Sequence, residues 1–195
     1  MSEQANNGCA AGFDVRLIGC VDDAVLPIGM HDYAEALGCC TLVDKTMFIA
    51  DALDCDASVV VCCRPEGFGK SMNLSMLRAF LERPAVGRAG RSSFADAQIW
   101  DADGGRYRDE YACYPVISLD FSGAARRGPA VADVVRDALS GECARLLALL
   151  GAPDLARDKV RHIERVARGA ASEDEVASVL GVLIELLEIA RNVTW

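Results

Sequence analysis

The sequence predicts an α/β protein, a three-layer sandwich with a mostly parallel sheet. Three observations point that way. Ser58 to Cys63 is a continuous β-branched and cysteine run without alternation, the pattern of a parallel strand buried on both faces. A loop containing Pro and Gly follows, and then an amphipathic helix from Ser71 to Arg83, with Leu74, Met76, Leu77, Phe80 and Leu81 as its apolar stripe and Pro84 as its stop. Val116 to Phe121 repeats the strand pattern downstream and ends on Asp120-Phe121, so strands alternate with helices as in a layered α/β domain.

The remaining elements fall between these. Residues 1 to about 12 are small and polar without a period, and a flexible segment is expected over 1–24, with the domain running over 25–195. Val25 to Gly29 opens the ordered part, and Asp32 to Leu37 reads as a short helical piece. Thr41 to Thr46 then leads into a helix from Met47 to Leu53. Ala85 to Arg108 is rich in Gly, Arg, Asp and Ser and reads as a long surface segment pinned by Phe94, Ile99 and Trp100. Val131 to Leu150 carries the spacing of one or two amphipathic helices, which Gly151 and Pro153 end. A capping box, Ser172 with Glu175, starts a last helix whose Val176, Val179, Leu180, Leu183 and Leu187 point inward.

Composition bounds the function. A chain of 195 residues, 52% of them hydrophobic, holds one domain or one and part of a second, which excludes global disorder. Its net charge of -9 opposes phosphate-backbone affinity, so no direct nucleic-acid binding is expected. The nine cysteines are odd in number, no secretory leader is seen, and no apolar run reaches the ~20 residues that span a bilayer. A reduced, cytoplasmic protein with no membrane association is the expectation. Without any Cys-x-x-Cys pair, and with His31 and His162 far apart, structural zinc is not expected; adjacent pairs such as Cys62-Cys63 read as small apolar residues.

The chemistry sits in Arg64-Pro65-Glu66-Gly67-Phe68-Gly69-Lys70-Ser71, between the strand and the helix, where a phosphate-binding loop belongs. Gly67, Phe68 and Gly69 would bring backbone N–H groups to the phosphates of ATP, at a helix start whose dipole favours an anion. Lys70 would stabilise charge on the β- and γ-phosphates as the catalytic group, and the Ser71 hydroxyl would bind Mg2+. Arg64 stands where the Gly-x-x-x-x-Gly-Lys-Ser pattern has its first glycine, so an ordinary strand-to-helix turn is the alternative.

These residues resemble the predicted AAA-ATPase-like family. The resemblance also rests on Leu26-Pro27-Ile28-Gly29, Val43-Asp44-Lys45-Thr46, Asn73 to Leu77, and Tyr114 to Phe121, in the family's order from about Val25 to Arg191. It accounts for Arg64, because the family typically reads Arg-Pro-Arg-Arg-Phe-Gly-Lys-Ser or Thr at that point. It implies a P-loop (Walker A) nucleotide-binding domain that uses ATP and Mg2+. Two departures stand out. Glu66 and Gly67 replace two basic residues, which puts an anion near the phosphates. Relatives also continue past the last helix into an apolar strand with an acidic pair (Walker B), so the resemblance implies a chain truncated before that strand, with hydrolysis impaired more than binding.

Several alternatives stay open. Asp120 could serve magnesium in a small P-loop kinase whose 85–108 segment covers an acceptor. A non-catalytic remnant could instead associate with a protein partner or with itself through an exposed sheet edge and the C-terminal helix. Asp44-Lys45-Thr46 either borders the nucleotide or caps a helix, and Arg126-Arg127 reads as solvated surface rather than an arginine finger.

Overall fold

The computed structural model describes residues 16–20, 25–83, 93–122, 130–150 and 156–193. The Arg126-Arg127 pair, Pro84, Gly151 and Pro153 lie outside the described residues, as does most of the 1–24 segment. The fold class is corrected: helices dominate, and among the described residues the one sheet has two antiparallel strands, β1 (Leu17–Gly19) and β2 (Thr41–Val43), with Leu17 opposite Val43. A parallel sandwich needs central strands with a partner on each edge. Ser58 to Cys63 forms no strand and joins no ladder among the described residues, and Val59, Val60 and Val61 are 75%, 57% and 76% exposed. Val116 to Phe121 likewise joins no ladder there, a single parallel bridge between Glu82 and Tyr114 lying just before it. β-branched side chains favour an extended backbone but do not by themselves supply neighbouring strands to pair with.

Two compact units make up the chain. The first takes the described residues up to Phe80 together with 93–108, and the second takes 81–83 and those from Asp109 onward. In the first unit, α1 (Tyr33–Cys39) starts at Asp32, whose Oδ1 accepts the Glu35 N–H at 3.0 Å, a side-chain N-cap. The helix α2 (Met47–Leu53) has the bounds its apolar spacing predicts, and α3 (Lys70–Leu81) begins one residue before the expected Ser71. Met76 and Phe80 bury the inner stripe of α3, while Leu74 faces solvent at 58% exposure. Tyr33 stacks on Phe94 at 5.2 Å between ring centroids, and Phe80 meets Phe94 edge-on at 5.1 Å. These rings hold the segment from residue 93 on, which is more regular than a surface loop: α4 (Gln98–Asp101) is followed by a 3-10 stretch (Ala102–Glu110) broken at Asp103, Gly104 and Gly105. Phe94 and Ile99 are its buried pins, with Trp100 half-buried.

Gly19 closes β1 with a φ of +87°, and a Cβ built there would sit 2.3 Å from the Cys40 carbonyl oxygen. Backbone cannot retreat as a side-chain tip can. Gly19→Ala is therefore expected to lower stability by about 2–4 kcal/mol, through the left-handed φ and the clash together, seen as a fall in the urea midpoint.

The second unit is helical. Its helices α5 (Val131–Leu150), α6 (Arg157–Ala167) and α7 (Glu173–Val193) share one core, in which Leu139, Cys143 and Leu146 meet Val160, Ile163 and Val166 and then Val179, Leu183, Leu186 and Leu187. Val131 to Leu150 is thus one helix. The expected capping box forms: Ser172 N–H donates to Glu175 Oε2 at 2.9 Å, and Glu175 N–H donates back to Ser172 Oγ at 3.4 Å. Leu180, expected inside, is 39% exposed, whereas Leu186 takes a buried place instead. Ile117 and Leu119 pack against this core from the extended segment. Among the described residues no helix is long and apolar enough to cross a membrane.

Candidate functional site

The site is built on α3. Asp32, besides capping α1, accepts the Ser75 hydroxyl at 3.1 Å and the Arg78 guanidinium at 3.2 Å through Oδ2, and Ser75 Oγ accepts the Tyr33 N–H at 3.0 Å. These bonds, with buried Met76 and Phe80, fix the helix so that its first residue, Lys70, follows directly on the Arg64–Gly69 loop. A helix start leaves its first N–H groups without intrahelical acceptors; the Asn73 N–H is bonded at 2.9 Å to the Gly69 carbonyl.

The loop turns through Gly67 (φ +82°) and Gly69 (φ +72°), two left-handed positions that a side-chain-bearing residue adopts only with strain, and nothing lies within 4 Å of a Cβ built at either. That open space is what a close approach of backbone to phosphate requires. Lys70 folds back over the loop, its Nζ donating to the Arg64 carbonyl at 2.7 Å and the Pro65 carbonyl at 2.9 Å. The ammonium therefore already faces the turn, held by acceptors that a phosphate can outbid. Ser71 and Phe68 are exposed, as is Glu66. Gly67, Phe68, Gly69, Lys70 and Ser71 thus follow one another through one open turn into a helix start, although without the flanking sheet expected beneath them.

For magnesium the fit is narrower. Ser71 offers a hydroxyl, and no group of three or more His, Cys, Asp or Glu side chains that could hold a metal occurs among the described residues. Mg2+ commonly keeps several waters and takes few protein ligands, so a single hydroxyl beside bound phosphates suits it.

The other candidates have structural work. Asp44 Oδ1 accepts the Thr46 N–H at 2.9 Å and hydroxyl at 2.6 Å, Oδ2 accepts the Gln98 N–H at 2.7 Å, and Thr46 Oγ1 accepts the Ile99 N–H at 3.2 Å. Thr46 is fully buried. This pair therefore anchors the start of α4, and Asp44→Ala is expected to cost about 2–3 kcal/mol by orphaning those donors, measurable as a lower thermal midpoint. Asp120 closes a local turn, accepting the Ser122 N–H at 2.8 Å and hydroxyl at 3.1 Å, on the second unit. Sequence reasoning did not single out Asp32, whose spacing to Glu35 is that of an N-cap to the third helical residue and was the available signal.

No curated protein and no solved structure matches the chain. The model of a family described as AAA-ATPase-like, predicted AAA-ATPase, matches residues 27–175, most of the chain and the whole of the 64–71 loop. With that match extending well beyond half its length, the chain belongs to the AAA-ATPase-like family, and the family description points to nucleotide binding.

Proposed function

We propose that this chain binds magnesium-ATP through Gly67, Phe68, Gly69, Lys70 and Ser71. The single observation that carries the reading is the Lys70 ammonium folded over a turn with two left-handed glycines and open space above it, at the start of a twelve-residue helix. Backbone N–H groups and the helix dipole would bind the phosphates, Lys70 would neutralise charge toward the γ-phosphate, and Ser71 would give one oxygen to Mg2+. Bound Mg2+ supplies charge neutralisation across the phosphates. The Glu66 carboxylate opposes an anion in the same turn and tunes affinity down.

Calorimetric titration of the reduced chain with ATP in the presence of magnesium tests this, with phosphate release followed on the same sample. Saturable binding near one equivalent is the expected result, and a folded chain that takes up no heat from ATP ends the proposal. Phosphate release reports hydrolysis separately.

A second reading has its own observation. Val59, Val60 and Val61 expose an apolar, β-branched stretch, a surface suited to strand addition by a second copy. A molar mass that rises with concentration in light scattering, and that falls for Val60→Lys, is its expected signature.

A further inference from the structure

Three sulfur atoms meet at the end of α1, in a place that phosphate binding does not use. Cys39 is the last helical residue and Cys40 the extended C-cap (φ -126°, ψ 162°), and with that switch their Sγ atoms sit 3.6 Å apart. The Met30 Sδ lies 3.5 Å from the same Cys40 Sγ. Backbone pairing fixes the floor: the Cys20 N–H donates to the Cys40 carbonyl at 2.9 Å, continuing the β1–β2 pairing past Gly19. Cys40 is 2% exposed, Cys39 is exposed and Met30 is half-buried, so the cluster has a closed base and an open mouth.

We infer that Met30, Cys39 and Cys40 form a binding site for a soft monovalent cation of the Cu(I) type. Two thiols and a thioether are soft donors, the ligand class that selects Cu(I), whereas hard cations such as Mg2+ take oxygen. With metal–sulfur bonds of about 2.3 Å, a trigonal centre sets its sulfurs about 4.0 Å apart, so the two contacts need open only by some tenths of an ångström. On binding, each thiol releases its proton to solvent, two metal–thiolate bonds and one metal–thioether bond form, and no oxidation state changes. Cys40 is buried at the base of the group, where a bound cation offsets the cost of holding a thiolate away from water. The Cys39 thiol points at the Glu35 carbonyl and the Cys20 thiol at the Gly38 carbonyl, each 3.3 Å away, so the helix end adds further negative potential. Zinc takes four tetrahedral ligands from thiolate, imidazole and carboxylate, whereas Met30, Cys39 and Cys40 supply three donors, one of them a thioether.

The test is anaerobic titration of the reduced full chain with Cu(I), delivered as its acetonitrile complex against bicinchoninate. One equivalent should bind ahead of any other, with a sulfur shell of three at about 2.3 Å in X-ray absorption. Met30→Leu conserves volume, so the chain stays folded, and it should weaken that equivalent at least tenfold and reduce the shell to two. Cys39→Ser with Cys40→Ser should abolish it, and Cys62→Ser with Cys63→Ser, at the exposed adjacent pair, should leave it unchanged. An unchanged first equivalent in Met30→Leu overturns the assignment, as does its loss in the Cys62/Cys63 variant. Tighter uptake of Zn2+ at the same residues overturns the choice of ion.

Discussion

Lys70→Ala is expected to weaken magnesium-ATP binding about 30-fold, the equivalent of ~2 kcal/mol for losing one charge-assisted hydrogen-bonding group from a phosphate site. The ammonium already has partners within the loop. It spans the loop from the Arg64 and Pro65 carbonyls, whose lone pairs water satisfies once the side chain is cut, because both residues are exposed. Stability should therefore change by no more than about 0.5 kcal/mol, the range for surface substitutions, so the loss of affinity reads as binding and not as unfolding. Lys70→Arg should not rescue it, since a planar fork cannot replace a compact charge inside the turn. Glu66→Lys runs the other way and should tighten binding severalfold at low salt, fading as salt rises. Equal titration curves for wild type and Lys70→Ala would remove the loop from the site.

The largest effect on stability is expected at Arg145. Its guanidinium donates to Glu142 at 2.7 Å through both Nε and Nη2, to Glu82 at 2.6 Å and to the Val116 carbonyl at 2.9 Å. The Glu142 side chain is 2% exposed and also accepts the Ser118 N–H at 2.8 Å, so one buried carboxylate fastens the extended 116–121 segment to α5. The hydrogen bonds to Glu142 and Glu82 raise the Arg145 pKa above its ordinary value against the pull of burial. Arg145→Ala leaves Glu142 charged, buried and unpaired, and should cost about 3–5 kcal/mol in chemical denaturation. Glu142→Leu combined with Arg145→Met should recover much of that, because an apolar pair of similar volume carries no desolvation penalty. A double variant as unstable as Arg145→Ala would show that the Ser118 N–H bond, and not the charge, dominates.

What could be read from the residues divides by the range of the interaction. Local signals were legible: the Ser172–Glu175 box, the bounds of α2, the stripe of α3 and the pins Phe94 and Ile99 each depend on neighbours within a turn or two. The helix α6 was not read, since only Val160, Ile163 and Val166 mark its stripe among charged residues. The sheet was not legible, because the run from Ser58 to Cys63 states that the backbone is extended and is silent on what lies beside it. The loop at 64–71 was read residue by residue, since glycine, lysine and serine each have one local reason to stand there. The Met30–Cys39–Cys40 group was not legible, since adjacent cysteines read as small apolar residues and no spacing signal brings Met30 to Cys40.

The three helices of the second unit follow one another in the chain and pack in that same succession, α5 on α6 and α6 on α7. The His162 Nε2 lies 2.9 Å from the Glu175 carbonyl, and the Arg165 guanidinium pairs with the Glu175 carboxylate. Contacts so near in sequence close short loops and spend little chain entropy before they are rewarded, so this unit has the topology of a fast folder, in the microsecond to millisecond range. The first unit is made of two stretches of chain interrupted by residues 81–91, and Phe94 cannot settle between Tyr33 and Phe80 until the intervening chain has closed. During synthesis the slower unit emerges first, and Tyr33 and Phe80 stand open until Phe94 arrives to cover them, which makes that interval the period of greatest exposure to misassociation.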